Sequence, residues 1–195
     1  MSLEKVVFVN QEGNIMRVIT GTARSKKLIT PKGSDVRPTT DMVKEAVFSA
    51  VQFEIEGAAV LDLFAGSGQI GIEALSRGAK SAVFVDKNRD AIAAVKENLK
   101  TTQLAEKAKV LLTDSLAFLK STGEQFDFVF LDPPYEQGIC QQALPLAVQA
   151  ASETCVIFCE TRKQEELPEE VGDFRLKKTY RYGKIKLTQY RRKGE

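Results

Sequence analysis

The stretch Ala58-Ala59-Val60-Leu61-Asp62-Leu63-Phe64-Ala65-Gly66-Ser67-Gly68-Gln69-Ile70-Gly71 changes character twice. Residues 58–64 are almost continuously apolar, as expected of a strand covered on both faces of a sheet. Gly66 and Gly68 then allow a sharp turn and leave room for a ligand to approach the backbone without meeting a Cβ. Residues 70–77 read as a helix ended by Gly78, and residues 81–85 as a second strand. A strand, a glycine turn, a helix and a strand make one unit of an α/β sheet.

The unit repeats downstream. Residues 90–100 form a predicted helix with Ile92, Val95 and Leu99 facing inward, followed by a strand at 110–112 and a short helix at 115–120. A fourth strand at 126–131, a helix at 139–150 and a fifth strand at 155–160 continue the alternation. The last segment departs from it, reading as two strands, 174–180 and 184–190, joined at Tyr182-Gly183. Upstream, residues 6–9 and 16–20 read as short strands around the turn-forming 10–14, and 27–29 fits another. Residues 39–52 read as a helix, with Thr39 and Thr40 as caps and Val43, Ala46, Val47, Ala50 and Val51 on one apolar face. The expected organisation is an extension at 1–15, a basic hairpin and helix at 16–57, and an α/β domain at 58–195.

A chain of 195 residues that is 43% hydrophobic is long enough to bury one substantial core. No apolar run approaches the ~18 residues of a membrane span, and the first fifteen residues lack the basic start and apolar core of a secretory signal. A cytoplasmic protein is the expectation. Cys140, Cys155 and Cys159 fit neither a disulfide framework nor a zinc knuckle and read as buried thiols. The absence of histidine removes serine-histidine triads and the commonest general base, and no metal is expected.

The net charge of +2 is unevenly spread. Between Arg17 and Lys44 seven Lys/Arg face two acidic residues, and from Phe174 to the C-terminus nine face Glu195 alone. Two basic ends around an acidic middle suit a phosphate-binding face, since clustered cations release counterions on meeting a polyanion.

Three strand ends carry the chemistry, at the carboxyl edge where ligands bind in open α/β sheets. The first is the glycine loop, which also matches the dinucleotide pattern G-x-G-x-x-G, so a nicotinamide or flavin enzyme competes for it. The second is Asp86, placed to accept hydrogen bonds from the hydroxyls of an adenosine ribose. Asp62 beside the loop and Asp114 after the third strand separate the readings. Carboxylates here would repel a pyrophosphate and attract the ammonium and sulfonium of S-adenosylmethionine. Phe64, Gly66, Ser67 and Gly68 complete the expected cofactor contacts, with Arg37 and Thr39 closing over its methionine end.

The third strand end is Asp132-Pro133-Pro134-Tyr135, a stiff turn following a buried strand. A base amino group is a poor nucleophile because its lone pair is delocalised into the ring. The Asp132 carboxylate and the Pro133 carbonyl can accept its two hydrogens and favour a more tetrahedral nitrogen, while Tyr135 offers a face to a base swung out of its stack. Asp132, Pro133, Pro134 and Tyr135 are therefore the candidate catalytic residues.

Arg37-Pro38-Thr39-Thr40-Asp41, Asp62 to Gly68, Glu73-Ala74-Leu75-Ser76-Arg77-Gly78, Asp132 to Tyr135 and Tyr182-Gly183 together resemble the RsmD-type 16S ribosomal RNA guanine-N2 methyltransferases, over roughly residues 16–192. The resemblance implies a class I methyltransferase with a Rossmann-like seven-stranded sheet whose last hairpin is antiparallel. It also implies a guanine amino group in 16S ribosomal RNA, within a small subunit or assembly intermediate, as substrate, and a monomeric enzyme. Asp-Pro-Pro-Tyr by itself is shared with DNA amino methyltransferases and leaves adenine or cytosine open. Arg24, Lys26, Lys27, Tyr182 and Lys184 are the expected RNA contacts. Two departures from the family pattern stand out: Ser25 where glycine is frequent, and Asp86 where many members have glutamate.

Overall fold

The computed structural model describes residues 16–31, 41–135 and 138–194. Its elements are α1 (Asp41–Ala50), β1 (Ala59–Leu63), α2 (Gln69–Ser76), β2 (Ser81–Asp86), α3 (Arg89–Thr102), β3 (Ala108–Leu112), α4 (Ser115–Ser121), β4 (Phe126–Leu131), α5 (Ile139–Gln149), β5 (Ala151–Arg162), β6 (Glu170–Val171), β7 (Phe174–Tyr182) and β8 (Ile185–Arg192). The strands form one sheet in the order β3-β2-β1-β4-β5-β8-β7-β6. Strands β1 to β5 pair in parallel, whereas β8 runs antiparallel between β5 and β7. This is the class I methyltransferase arrangement. The described residues add an eighth strand to the expected seven: β6, two residues long, which pairs antiparallel with the start of β7. So short a strand has no periodicity of its own; only its partner defines it.

The first three strands step outward from β1 in one direction, and β4 returns to pair on its other side. The order therefore reverses between β1 and β4, and a crevice opens outside the carboxyl ends of these two strands. The inward residues divide between the two faces. Val60, Phe84, Phe128, Phe130 and Phe158 pack under α1, α2 and α3, and Leu61, Val85, Val129, Leu131 and Ile157 under α4 and α5.

The expected apolar face of α1 is present: Val43, Val47 and Val51 are buried and Ala46 and Ala50 half-buried, with Phe48 added to it. Residues 6–9, 10–14 and 39–40 lie outside the described residues. Two expected strands, 16–20 and 27–29, reduce to a single antiparallel bridge between Arg17 and Lys27. The physical reason is that part of this segment's backbone bonds to helix side chains instead of to a partner strand. Ile19 and Thr20 N–H donate to the Glu73 carboxylate at 2.7 and 2.9 Å, and Ala23 N–H donates to Ser76 Oγ, which donates in turn to Thr20 O. Ile29 exchanges two hydrogen bonds with the Asn98 amide on α3. Gly21 sits at φ +85 against the Ser76 carbonyl, where a Cβ would overlap it. Ser25 has φ +67, a left-handed conformation that glycine adopts more cheaply. Met16, Val18 and Leu28 join the same apolar cluster as Val60 and Phe84.

Glu73 is fully buried, and its carboxylate also accepts from Arg77 Nε at 2.8 Å. Glu73→Ala would leave two backbone donors and a guanidinium without their acceptor. The expected loss is about 3 kcal/mol or more of unfolding free energy, read as a lower urea midpoint; an unchanged midpoint would refute this anchoring role.

Candidate active site

The glycine loop begins with an unusual backbone. Phe64 has φ +72, and the N–H groups of Phe64 and Ala65 both donate to Val85 O, at 3.0 and 2.9 Å. Gly66 follows at φ +55 and donates its N–H to Asp86 Oδ2 at 2.9 Å, while Asp86 Oδ1 accepts from Asn88 N–H at 2.8 Å. The carboxylate at the end of β2 thus ties the loop after β1 to the start of α3. Each of its oxygens keeps a second acceptor site for a ligand hydroxyl. Gly68 and Gly71 do different work: a Cβ on either would press into Phe84 on β2. They permit the close crossing of α2 over the sheet, and Gly66 is the glycine of the motif that lines the cavity.

That cavity, about 500 Å³, occupies the crevice at the strand-order reversal. It collects nearly all of the expected cofactor and catalytic residues. Asp62, Phe64, Gly66, Ser67, Asp86 and Asp114 line one part, and Asp132, Pro133, Pro134 and Tyr135 the other. Gly68 stands behind the wall. Arg37 and Thr39 lie outside the described residues. Asp114 has two tasks, because its carboxylate also caps α4 by accepting Ala117 N–H at 2.9 Å. Sequence reading missed Thr30 and Pro31, which reach the cavity because the N-terminal segment is docked on α3, and Leu116 and Ile139, which add apolar wall. Leu116 could have been found, since it follows Asp114 by two residues at the same strand end.

The site is acidic. Asp62 is buried, and its Oδ2 accepts Gly71 N–H at 2.9 Å. Burial raises its carboxyl from the ordinary 3.8 to about 7, a rise that the Gly71 hydrogen bond opposes and the Asp86 charge assists. Asp132 is also held well above the usual carboxylate range, first by loss of water and then by the charges of Glu160, Asp62 and Cys140. Four carboxylates lining one cavity, Asp62, Asp86, Asp114 and Asp132, with a fifth, Glu160, behind it on β5, suit a cationic guest and oppose a pyrophosphate. The residues present therefore fit the ammonium and sulfonium of S-adenosylmethionine. Tyr135 is half-buried; its hydroxyl donates to Glu160 Oε1 at 2.8 Å, and the Arg162 guanidinium lies 5.4 Å from its ring centroid. Among the described residues no cluster of His, Cys, Asp and Glu has the grouping of a metal site, and no helix is long and apolar enough to cross a membrane.

The five expected RNA contacts fall on two segments, the N-terminal hairpin and the end of the β7-β8 pair. Ala23, beside Arg24, bonds to Ser76 at the carboxyl end of α2, roughly 10 Å along the helix from Gln69 at the cavity. Arg24, Lys26 and Lys27 are all exposed, and Lys27 pairs with Arg17 on the stretch that leads back toward Met16, beside Ser67 of the cavity wall. Tyr182 ends β7 and Lys184 lies in the turn to β8, where Lys184 O accepts Lys163 N–H beside the carboxyl end of β5. Several cations of the basic ends are already engaged. Lys44 is buried and donates to Arg17 O, Lys186 is buried near Glu166, and Arg191, Arg192 and Lys193 pair with Glu54, Asp173 and Glu170. The charge available to a polyanion is smaller than a count of Lys and Arg implies.

The family model described as conserved hypothetical protein 95 matches residues 16–191. The putative rRNA methyltransferase YlbH of Bacillus subtilis is 40% identical over 184 residues, covering 92% of this chain and all of that protein. The ribosomal RNA small subunit methyltransferase D of Haemophilus influenzae is 37% identical, covering 85% of this chain and 88% of its own length. Among solved structures, the putative methyltransferase yhhF from Escherichia coli superposes with a TM-score of 0.83 at 32% identity, covering 93% of this chain and all of that one. With its strand order, its acidic crevice and this likeness over nearly the whole length, the chain belongs to the conserved hypothetical protein 95 family, that of the RsmD-type methyltransferases whose motifs it carries.

Proposed function

We propose that this protein transfers a methyl group from S-adenosylmethionine to the exocyclic N2 amino group of a guanine in small-subunit ribosomal RNA. The observation that carries this reading is Asp132-Pro133-Pro134-Tyr135 lining one cavity with Asp62 and Asp86 at the strand-order reversal. The names borne by the curated relatives support an RNA of the small subunit, and the sequence resemblance supports guanine N2.

Asp86 and Asp62 would hold the cofactor, Asp86 at the ribose hydroxyls and Asp62 near its cationic end. When bound, the cofactor supplies an electrophilic methyl group on a sulfonium. The chain's own residues prepare the nucleophile. Pro133 and Pro134 fix the backbone so that the Asp132 carboxylate and the Pro133 carbonyl face one point, where they accept the two amino hydrogens. Tyr135 holds the base plane on the ring face away from Arg162.

The test is incubation with methyl-labelled cofactor and free 16S ribosomal RNA, assembled small subunits or DNA, followed by nucleoside analysis. Label in N2-methylguanosine from either ribosomal substrate is the expected result. Label chiefly in DNA, or in a different nucleoside, would overturn the assignment. Calorimetry separates the nicotinamide alternative: S-adenosylhomocysteine should bind and NAD should not.

A further inference from the structure

Strand β5 is apolar from Cys155 to Cys159 and then places a carboxylate, Glu160, that is only 2% exposed. Burying a carboxylate is costly unless it is hydrogen-bonded, so its partners indicate its use. The register gives its neighbourhood. Leu131 of β4 pairs with Cys159 of β5, so Glu160 stands beside Asp132, the first residue of the catalytic turn. Arg162, two residues on, emerges on the same face of the strand. Both contact Tyr135, Glu160 by accepting the hydroxyl at 2.8 Å and Arg162 by lying 5.4 Å from the ring centroid. Tyr135 is in a turn, outside the sheet ladders, and belongs to neither apolar cluster. One neighbouring strand thus holds it at two points, and one ring face is covered.

We infer that Glu160 is a positioning residue for methyl transfer: it fixes Tyr135 through the hydroxyl, with Arg162 backing the ring, so that the opposite face meets the base beside Asp132. The inference rests on the amino-methyl transfer proposed above. The same carboxylate has an electrostatic consequence. The charged or titratable groups acting on Asp132 are Glu160 from β5, Asp62 from β1 and Cys140 from α5. Of these, Glu160 acts most strongly, and its charge disfavours ionisation of Asp132.

Glu160→Gln keeps an acceptor for the tyrosine hydroxyl and removes the charge; Glu160→Ala removes both; Tyr135→Phe removes the donor. Transfer rates with the ribosomal substrate, their pH profiles and S-adenosylhomocysteine affinity by calorimetry give the readouts. Glu160→Ala should lower kcat roughly tenfold to a hundredfold, with cofactor affinity within about twofold of wild type. Tyr135→Phe should cost a similar factor, and the double variant Tyr135→Phe/Glu160→Ala no more than the worse single change, because both remove one contact. Glu160→Gln should retain more activity than Glu160→Ala and move the acid limb of the profile to lower pH, a shift that a merely structural residue would not cause. Wild-type kcat in Glu160→Ala, fully additive losses in the double variant, or an unmoved acid limb in Glu160→Gln would each overturn the inference. Should Glu160→Ala fail to fold, the Glu160→Gln acid limb and its cycle with Tyr135→Phe decide alone. A wild-type protein inert on ribosomal RNA removes the functional reading and this inference together; an active wild type matched by its variants removes only the inference.

Discussion

Asp132→Ala is expected to lower kcat for methyl transfer on the order of 10³-fold while leaving S-adenosylhomocysteine affinity nearly intact. The carboxylate sits at the wall of the cavity, on the part formed by the catalytic turn, whereas Asp62 and Asp86 act at the glycine loop. Removing Asp132 takes away an acceptor that matters most as the amino nitrogen becomes tetrahedral, so the loss should fall on kcat and not on cofactor binding. Single-turnover transfer alongside calorimetry distinguishes the two, and a variant that retains wild-type kcat would refute the role. The pH dependence follows from the same environment. A carboxyl raised by burial and by neighbouring acids ionises only above the ordinary carboxylate range. Activity should therefore fall on acidification at a higher pH than an exposed aspartate would give.

The second large effect is expected at Asp62, where function and stability oppose each other. Its carboxyl is raised from 3.8 to about 7 in the folded chain. A raised folded value means that its contribution to stability is fully present below the unfolded value and is lost as pH rises through 7. The roughly three-unit difference corresponds to about 4 kcal/mol of destabilisation at alkaline pH. Asp62→Asn keeps an oxygen to accept the Gly71 N–H and has no charge to bury. The ligand-free variant should then melt higher than wild type above pH 7, with the advantage shrinking toward pH 4. Its affinity for S-adenosylmethionine should drop roughly tenfold or more, because the cationic guest loses its counter-charge. Thermal unfolding across pH, paired with calorimetry, checks both halves. Equal melting temperatures at every pH would show that Asp62 carries no burial cost.

Much of the site was readable because its signals are local. Asp62 to Gly71 and Asp132 to Tyr135 each pack a strand end, a turn and a chemical group into a few consecutive residues, and both stretches meet at the strand-order reversal. The helix and strand periods placed every α and β element from α1 to α5 to within a few residues. The N-terminal hairpin is shorter than expected for the opposite reason. Residues 16–18 and 26–28 pair with each other, but Ile19, Thr20 and Ile29 bond to Glu73 and Asn98, more than fifty residues away. The basic count of the ends overstated the free charge because the burial of Lys44 and the pairing of Arg191 with Glu54 are long-range facts.

The sequence by itself determined the α/β alternation, the acidic strand ends and the proline-stiffened turn, since each depends on residue type and spacing over a dozen residues or fewer. Only the tertiary structure decided which of those residues share a cavity, which glycine serves the crevice and which serve packing, and that Glu160, 25 residues beyond Tyr135, holds it. Such contacts are set by strand order and register, and these are fixed when two apolar faces are buried together, a condition that no local stretch of the chain records.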